Sequence, residues 1–408
     1  MAEKLKGNLV VAQSGGPTAV INCSLAGVVQ EALAHSDVIT GVFGALHGIE
    51  GILYEEMIDW RAEDPATIDL LCKTPSSALL SCRHKVTTED YDRILKVFEA
   101  HNIRYFFYIG GNDSMDTADR VGRLAAEAGY ALRCMGVPKT IDNDLAYTDH
   151  CPGYGSVARW IASSVRDAGL DTEAIGVVDK VKVIEIMGRN AGWITAASAL
   201  ARDHKNAAPH LIYVPERPID MERMFEDVKS VYDRLGHVVI AVCEGARRSD
   251  GELLSASGKA IDVDAFGHKQ MGGAADVLCQ EIAANLGLKA RFDKPGTIQR
   301  TSVVLASKVD QEEAYKVGQM AVRHALNGVS GQMVTIVRES HVPYRSTTGL
   351  VELSLVANAE KLMPDEFLNE EGNDVTDAFV EYARPLIGDP LPPYAYLKKA
   401  KLPKKLSS

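Results

Sequence analysis

The sequence predicts an α/β protein of two domains built on mostly parallel sheets. Three observations carry that reading. A chain of 408 residues exceeds what one hydrophobic core comfortably organises, so two domains are expected. Short apolar runs rich in β-branched and aromatic residues end at glycine or proline and lead into helical patterns. Those runs are continuously apolar rather than alternating, as in strands covered on both faces.

Taken in order, Leu9-Val10-Val11-Ala12 leads into Ser14-Gly15-Gly16-Pro17, and residues 38–43 end at Gly44. Residues 105–109 lead into Gly110-Gly111, and residues 132–137 end at Pro138. Strand, loop and helix in alternation place a site at the carboxyl ends of the strands. A second set of runs at 181–186, 211–214 and 238–242 reads as the sheet of a second α/β domain. Residues 219–235 have the spacing of an amphipathic helix. The Gly- and Ser-rich stretch 248–258 reads as a hairpin or crossover. Beyond about 340 the chain shows few long strand patterns and many prolines near its end, so a helical or irregular extension is expected there.

Composition excludes several classes. A nucleic-acid partner would want a basic face, and the formal net charge of -11 argues against one. The lysines between 398 and 405 read as a solvated terminus. The apolar run ending at Ala12 is too short for a signal core or a membrane span. Seven cysteines with no C-x-x-C pair argue against a zinc ribbon. Their odd number fits a reducing compartment, so a cytoplasmic enzyme is expected.

Three loops carry chemically specific residues. In Ser14-Gly15-Gly16-Pro17-Thr18-Ala19, adjacent glycines let backbone N–H groups approach an anion, and the following helix offers its positive end. The same residues suit a tight strand-to-helix turn without a ligand. Gly110-Gly111-Asn112-Asp113-Ser114 precedes a helix with apolar residues at Met115, Ala118, Val121 and Ala125. Ser114 or Asp113 would cap that helix, and an amide and a carboxylate beside two glycines also suit a phosphate with its metal. Pro138-Lys139-Thr140-Ile141-Asp142-Asn143-Asp144 sets a lysine and two carboxylates at a strand end. In isolation a polar turn with salt bridges is the favoured reading of those residues. Phosphoryl transfer to an alcohol needs the same parts: a carboxylate to take the hydroxyl proton, and cations to neutralise the spreading charge.

Other patterns are set aside. Gly153-Tyr154-Gly155-Ser156 imitates a dinucleotide fingerprint but follows no strand, so it reads as a glycine-rich helix start. A P-loop, a G-x-S-x-G elbow and an H-E-x-x-H motif are all absent from the sequence.

Together the loops, with Met187-Gly188-Arg189, Glu244-Gly245 and Gln299-Arg300, resemble the 6-phosphofructokinase family over roughly residues 8 to 340. The resemblance implies two Rossmann-like three-layer domains with the active site between them. It also implies a chain that crosses between the domains more than once. On that basis residues 1–157 with about 264–306 are expected to hold the phosphoryl donor. Residues 158–263 with about 307–340 are expected to hold the sugar phosphate, and 341–408 to be the extension.

By position, the resemblance makes Asp142 the general base facing the 1-hydroxyl of fructose 6-phosphate, flanked by Thr140 and Asp144. Gly15, Gly16, Gly111, Lys139 and Arg83 fall where the donor phosphates bind, with Lys85 nearby. Thr140, Ile141, Met187, Gly188, Arg189 and Glu244 fall around the sugar, and Arg300 at its 6-phosphate. Arg291 and Lys180 stand where the family uses arginines from a neighbouring subunit, which implies a homodimer or homotetramer. Thr297 replaces a histidine common beside the 6-phosphate. Asn112 replaces the usual metal-site aspartate, and is the expected Mg2+ ligand together with donor oxygens and water.

Two departures resemble the pyrophosphate-using branch. Asp113 and Lys139 stand where ATP-using members carry glycine. A carboxylate at 113 would crowd a nucleotide's α-phosphate, and a like-charge contact near 4 Å costs about 4 kcal/mol at an effective dielectric of 20. Lys139 would instead stabilise charge on diphosphate. The implied activity is reversible phosphoryl transfer from diphosphate to fructose 6-phosphate. An ATP-dependent enzyme and a non-catalytic sugar-phosphate sensor are the alternatives.

Overall fold

The computed structural model describes residues 5–405 apart from 83, 85, 258, 259, 264–268, 272 and 358. The first strands are β1 (Gly7–Gln13), β2 (Ile39–Ala45), β3 (Met57–Asp59), β4 (Ile103–Gly110) and β5 (Arg133–Pro138). Next come β6 (Val181–Ile186), β7 (Leu211–Tyr213), β8 (Val238–Cys243), β9 (Ala260–Val263) and β10 (Lys269–Met271). The last are β11 (Ala290–Asp293), β12 (Gln332–His341) and β13 (Tyr344–Glu352). The longer helices are α1 (Ile21–Leu33), α2 (Thr88–Ala100), α3 (Asn112–Glu127), α4 (Tyr154–Ile175), α5 (Met221–Leu235), α6 (Ala274–Leu286) and α7 (Lys308–Leu326).

Two sheets organise the chain, one in order β13-β12-β5-β4-β1-β2-β3 and one in order β11-β6-β8-β7. β1, β2, β4 and β5 run parallel, as do all strands of the second sheet. The continuous apolar runs are explained by burial on both faces. Leu9, Val11, Tyr105, Phe107 and Val137 share a core with α1 and α7. Their immediate neighbours Val10, Ala12, Phe106 and Tyr108 share a second core with α2 and α3. The second sheet repeats this: Ile184, Ile186, Val239 and Ala241 lie against α4, while Val183, Ile240 and Val242 lie against α5 and α6. Each sheet is therefore the middle of three layers, as expected.

The helix expected over 219–235 begins at Met221, where the Asp220 carboxylate accepts from the N–H groups of Glu222 and Arg223, and it ends at left-handed Gly236. The stretch 248–258 returns on itself through a bridge between Arg247 and Leu253. The Gly153-Tyr154-Gly155-Ser156 segment is the start of α4. Its anion position is filled from within: the Asp310 carboxylate accepts from Gly153 N (2.9 Å) and Ser156 N (2.8 Å).

The structure regroups the late segments. The expectation set 264–306 with the first domain, yet β11 pairs with β6 from Ala290–Val181 to Asp293–Ile184, and α6 lies in a core of the second sheet. It set 307–340 with the second domain, yet α7 lies against α1 on the first sheet and β12 pairs with β5. The physical reason is a reciprocal close approach of two helices. A Cβ on Gly318 would stand 2.1 Å from Ser24 O, and one on Gly27 would stand 2.1 Å from Tyr315 O. Only glycine at both positions lets α1 and α7 meet this closely.

The extension after 341 is also not wholly helical or irregular, because β13 runs for nine residues antiparallel to β12 at the sheet edge. Its residues Tyr344-Arg345-Ser346-Thr347-Thr348 are polar, as an edge strand allows, so they leave no apolar run to read. Farther on, Phe379, Tyr382, Leu386 and Ile387 complete the core on the α4 side of the second sheet. No helix among the described residues is long and apolar enough to cross a membrane.

Replacing Gly318 by alanine should force α7 off α1. The overpacking exceeds the gain in helix propensity, for a net loss of about 2 kcal/mol in a denaturant titration. Unchanged stability would mean that the two helices do not meet through these glycines.

Candidate active site

In the first sheet the chain leaves β1 for β2 on one side and reaches β4 on the other, so the loops after β1 and β4 open a crevice between them. Ser14 N donates to Ile109 O (2.9 Å), and Ser114 Oγ donates to Ser14 Oγ (2.9 Å), which ties the two loops together. Gly15 has φ +77, a left-handed turn that glycine adopts without strain. A Cβ on Gly15 would lie 3.0 Å from Lys139 Nζ, and one on Gly16 would lie 2.8 Å from an Arg300 nitrogen. Lys139 Nζ donates to Gly16 O (3.0 Å), while its backbone N donates to Gly110 O (3.0 Å). Gly15, Gly16, Gly111, Lys139 and Arg300 thus converge on one chamber. Asp113 is exposed in the first turn of α3, whose N-terminus opens from this loop.

The segment after β5 spans the two domains. Thr140 bridges to Gly153 at the head of α4. Ile141 belongs to the second domain's core with Tyr154, Ile186 and Trp193. Asp142 N donates to Thr140 Oγ1 (3.1 Å). Facing this segment are the loops after β6 and β8. Gly188 N donates to Glu244 Oε1 (3.1 Å), and Gly245 packs against the Arg189 carbonyl so closely that a Cβ there would stand 1.8 Å away. Met187 N donates to Gln299 Oε1 (3.3 Å), which links the loop after β11 to the same place.

Electrostatics mark the centre. Burial pushes the Asp142 carboxyl up to about 7; the Asp144 and Glu244 carboxylates push the same way, and Lys139 and Arg189 oppose them. Burial pulls the Lys139 ammonium down to about 8, with Asp142 and Asp144 opposing and Arg300 assisting. Lys139 is 3% exposed. A base poised near neutrality beside a buried cation is the combination that proton abstraction with charge transfer requires.

A cavity of about 340 Å³ adjoins this centre, lined among others by Arg189, Glu244, Glu185, Arg247, Gly273 and Lys294. Glu185, Arg247 and Lys294 are additions to the expected set. Glu185 carried a readable signal, a carboxylate inside the apolar run of β6. It accepts from Ala275 N (3.0 Å) and pairs with Lys294 (2.8 Å). Arg247 and Lys294 carried none, since a single cation in a loop is ordinarily a solvated one.

The remaining expected residues have the following surroundings. Arg291 lies on the edge strand β11, where its Nε is 2.7 Å from the Asp179 carboxylate that Lys289 also holds. Lys180 stands 5.7 Å from the centre of the Tyr232 ring. Thr297 is exposed at the start of the short helix Ile298–Thr301. Arg300, expected at the sugar's 6-phosphate, reaches the glycine loop on the donor side. Arg83 and Lys85 lie outside the described residues. Asn112 faces the C-terminal extension: in the orientation that satisfies both amide atoms, its nitrogen donates to Val356 O and Ala359 O, each at 3.2 Å.

Among the described residues no group of three or more His, Cys, Asp or Glu side chains could hold a metal ion by itself. The carboxylates nearby, Asp113 in the first turn of α3 and Asp144 two residues beyond Asp142, form a sparse set. That suits a divalent ion that keeps several waters and leans on substrate phosphates.

Comparison with known proteins places the chain in a family. The family described as Phosphofructokinase matches residues 8–325. A pyrophosphate--fructose 6-phosphate 1-phosphotransferase of Xanthomonas campestris is 43% identical, with 98% of each chain covered. One from Halomonas elongata is 44% identical, covering 95% of this chain and 93% of its own. The crystal structure of a pyrophosphate-dependent phosphofructokinase from Nitrosospira multiformis superposes with a TM-score of 0.87 at 41% identity, with 98% of each chain covered. With its two three-layer domains meeting at Asp142, this chain belongs to the phosphofructokinase family.

Proposed function

We propose that this chain catalyses reversible transfer of a phosphoryl group from diphosphate to the 1-hydroxyl of fructose 6-phosphate, giving fructose 1,6-bisphosphate and phosphate. The observation that carries the reading is the position of Asp142. Its carboxyl feels the charge of Glu244 and Arg189 on the cavity side and of Lys139 on the glycine-loop side. One carboxylate therefore stands between a donor chamber and an acceptor chamber.

In the forward direction Asp142 takes the proton of the 1-hydroxyl. The hydroxyl oxygen forms a bond to the nearer phosphorus of diphosphate, and the bridging P–O bond breaks to release phosphate. Lys139 and Arg300 supply fixed positive charge at the glycine loop for the oxygens on which charge accumulates. The Gly15-Gly16 and Gly111 backbones leave room for the phosphates to approach. On the other side, Glu244 accepts from sugar hydroxyls, while Arg189, Arg247 and Lys294 give the cavity its cationic character. Asp113 and Asp144, with substrate oxygens, would hold Mg2+, whose chemistry would be to neutralise part of the diphosphate charge. Asp113 crowds the place where a nucleotide would continue beyond two phosphates, and this supports diphosphate over ATP as the donor.

Arg291 and the half-exposed Phe292 on β11 suit an edge shared with a second copy, so a homodimer or homotetramer is part of the reading. The described cysteines are free thiols, which suits the cytoplasm.

Replacing Asp142 by alanine should lower kcat by about a thousandfold or more, while calorimetry still detects fructose 6-phosphate binding. Normal turnover in that variant would remove Asp142 as the base. The pH profile of kcat/KM should be bell-shaped. The acid limb falls as Asp142 takes up a proton below about 7, and the alkaline limb falls as Lys139 loses one above about 8. Asp144→Asn removes a negative neighbour, so it should move the acid limb to lower pH; a shift upward contradicts the assignment. Asp113→Gly combined with Lys139→Gly should weaken diphosphate use by roughly a hundredfold and admit ATP poorly. Steady-state assays with each donor measure this, and unchanged diphosphate kinetics would exclude these two residues as the donor selectors.

A further inference from the structure

The C-terminal extension crosses the site. After β13 and the short helix Leu353–Val356, the carbonyls of Val356 and Ala359 receive the Asn112 amide at the head of α3. Glu360 then bridges antiparallel to Leu145, and Lys361 N donates to Asp144 O (2.7 Å). On its other side the strap is held by the second domain. Trp193 Nε1 donates to Lys361 O (2.9 Å), and Met363 N donates to Glu216 Oε1 (3.1 Å). One short segment thus touches the donor helix, the loop that carries Asp142, and the sugar-side domain.

Lys361 is the centre of this strap. Its Nζ donates to Asp149 O (2.8 Å) and Thr148 O (3.1 Å), and stands 3.5 Å from Asn143 Oδ1. An ammonium has three N–H donors and no acceptor, so these oxygens account for all three. A lysine spent in this way has no donor left for a substrate phosphate. The loop it grips needs holding. Asn143 and Tyr147 have φ of 55 and 65, a left-handed conformation that side chains other than glycine adopt at a cost. Tyr382 joins the grip, with its hydroxyl donating to Asp149 O (2.8 Å) and accepting from Asn143 Nδ2 (3.0 Å).

We infer that Lys361 is a positioning residue for phosphoryl transfer. By pinning the carbonyls of Thr148 and Asp149 it sets the turn that aims Asp142 at the acceptor hydroxyl. The inference rests on the functional reading above. It predicts a defect in the chemical step rather than in substrate binding, because Lys361 touches neither substrate chamber.

Lys361→Met keeps the length of the side chain and removes its donors. In the full-length enzyme its kcat should fall about 30-fold, as expected when a reacting group is misplaced by a fraction of an ångström. The KM for diphosphate and for fructose 6-phosphate should stay within about threefold. Lys361→Arg, which restores charge and donors, should recover most of the loss. Amide hydrogen exchange of residues 142–149 in the ligand-free protein should quicken in the methionine variant. Should that variant not accumulate folded, Lys361→Gln, which keeps two N–H donors without the charge, carries the same measurements. Two results would overturn the inference: a lowered melting temperature with wild-type kcat in the folded enzyme, or raised KM values at unchanged kcat. Absence of diphosphate-dependent turnover in the wild-type protein would instead refute the functional reading. The exchange rates would then still decide whether Lys361 holds the loop.

Discussion

A carboxylate and an ammonium share a water-poor pocket at the end of β5, and the site depends on how each alters the other. Neither group would sit there alone at ordinary cost, because burial penalises the charged form of both. Together they settle near neutrality, with the Asp142 carboxyl at about 7 and the Lys139 ammonium at about 8. The glycine loop completes the arrangement. Gly16 offers its carbonyl to Lys139, and the absence of side chains at Gly15 and Gly16 leaves room for Lys139 and Arg300.

The two sheets exist, functionally, to bring four loops to that pair. The loops after β1 and β4 meet at the switch point of the first sheet, and those after β6 and β8 lie side by side in the second. The segment after β5 joins them, since Lys139 is anchored to the first domain while Ile141 is buried in the core of the second. Any motion between the domains would therefore pull on the residues on either side of Asp142. The C-terminal extension limits such motion by fastening the far end of the same loop through Lys361 and Tyr382.

A second buried polar network lies behind that loop and stiffens it. His150 donates between Asp149 (2.7 Å) and Glu313 (2.6 Å), and Arg338 grips Asp149 at 2.9 Å. Although burial alone would lower it, the two carboxylates lift the His150 imidazolium to about 9, and Asp149 is held at about 2. These charges are paired and hydrogen-bonded, which is the condition for tolerating them inside. The cluster ties α7 and the β12–β13 hairpin to the start of α4, so the late segments of the chain support the centre of the site from below.

The sequence by itself determined the elements that rest on local pattern. Continuous apolar runs declare strands buried on both faces, and paired glycines after them declare tight strand-to-helix turns whose backbone an anion could approach. The cluster from Lys139 to Asp144 gains its chemical reading only beside the other loops, through their joint resemblance to the phosphofructokinase family. Tertiary structure alone decided which sheet received each late segment. α6 and β11 joined the second domain, while α7 and the hairpin joined the first, through contacts such as Gly27 against Tyr315 and Gly318 against Ser24. Such contacts depend on shape between distant segments, and a helix pattern carries no mark of its partner. For the same reason nothing in the local pattern marks Lys361, Lys294 or Arg247 for a place near the site. Only the folded chain sets Lys361 among backbone oxygens and the other two cations at a cavity. Burial and the geometry of long-range neighbours assign those roles, and neither is written in local spacing.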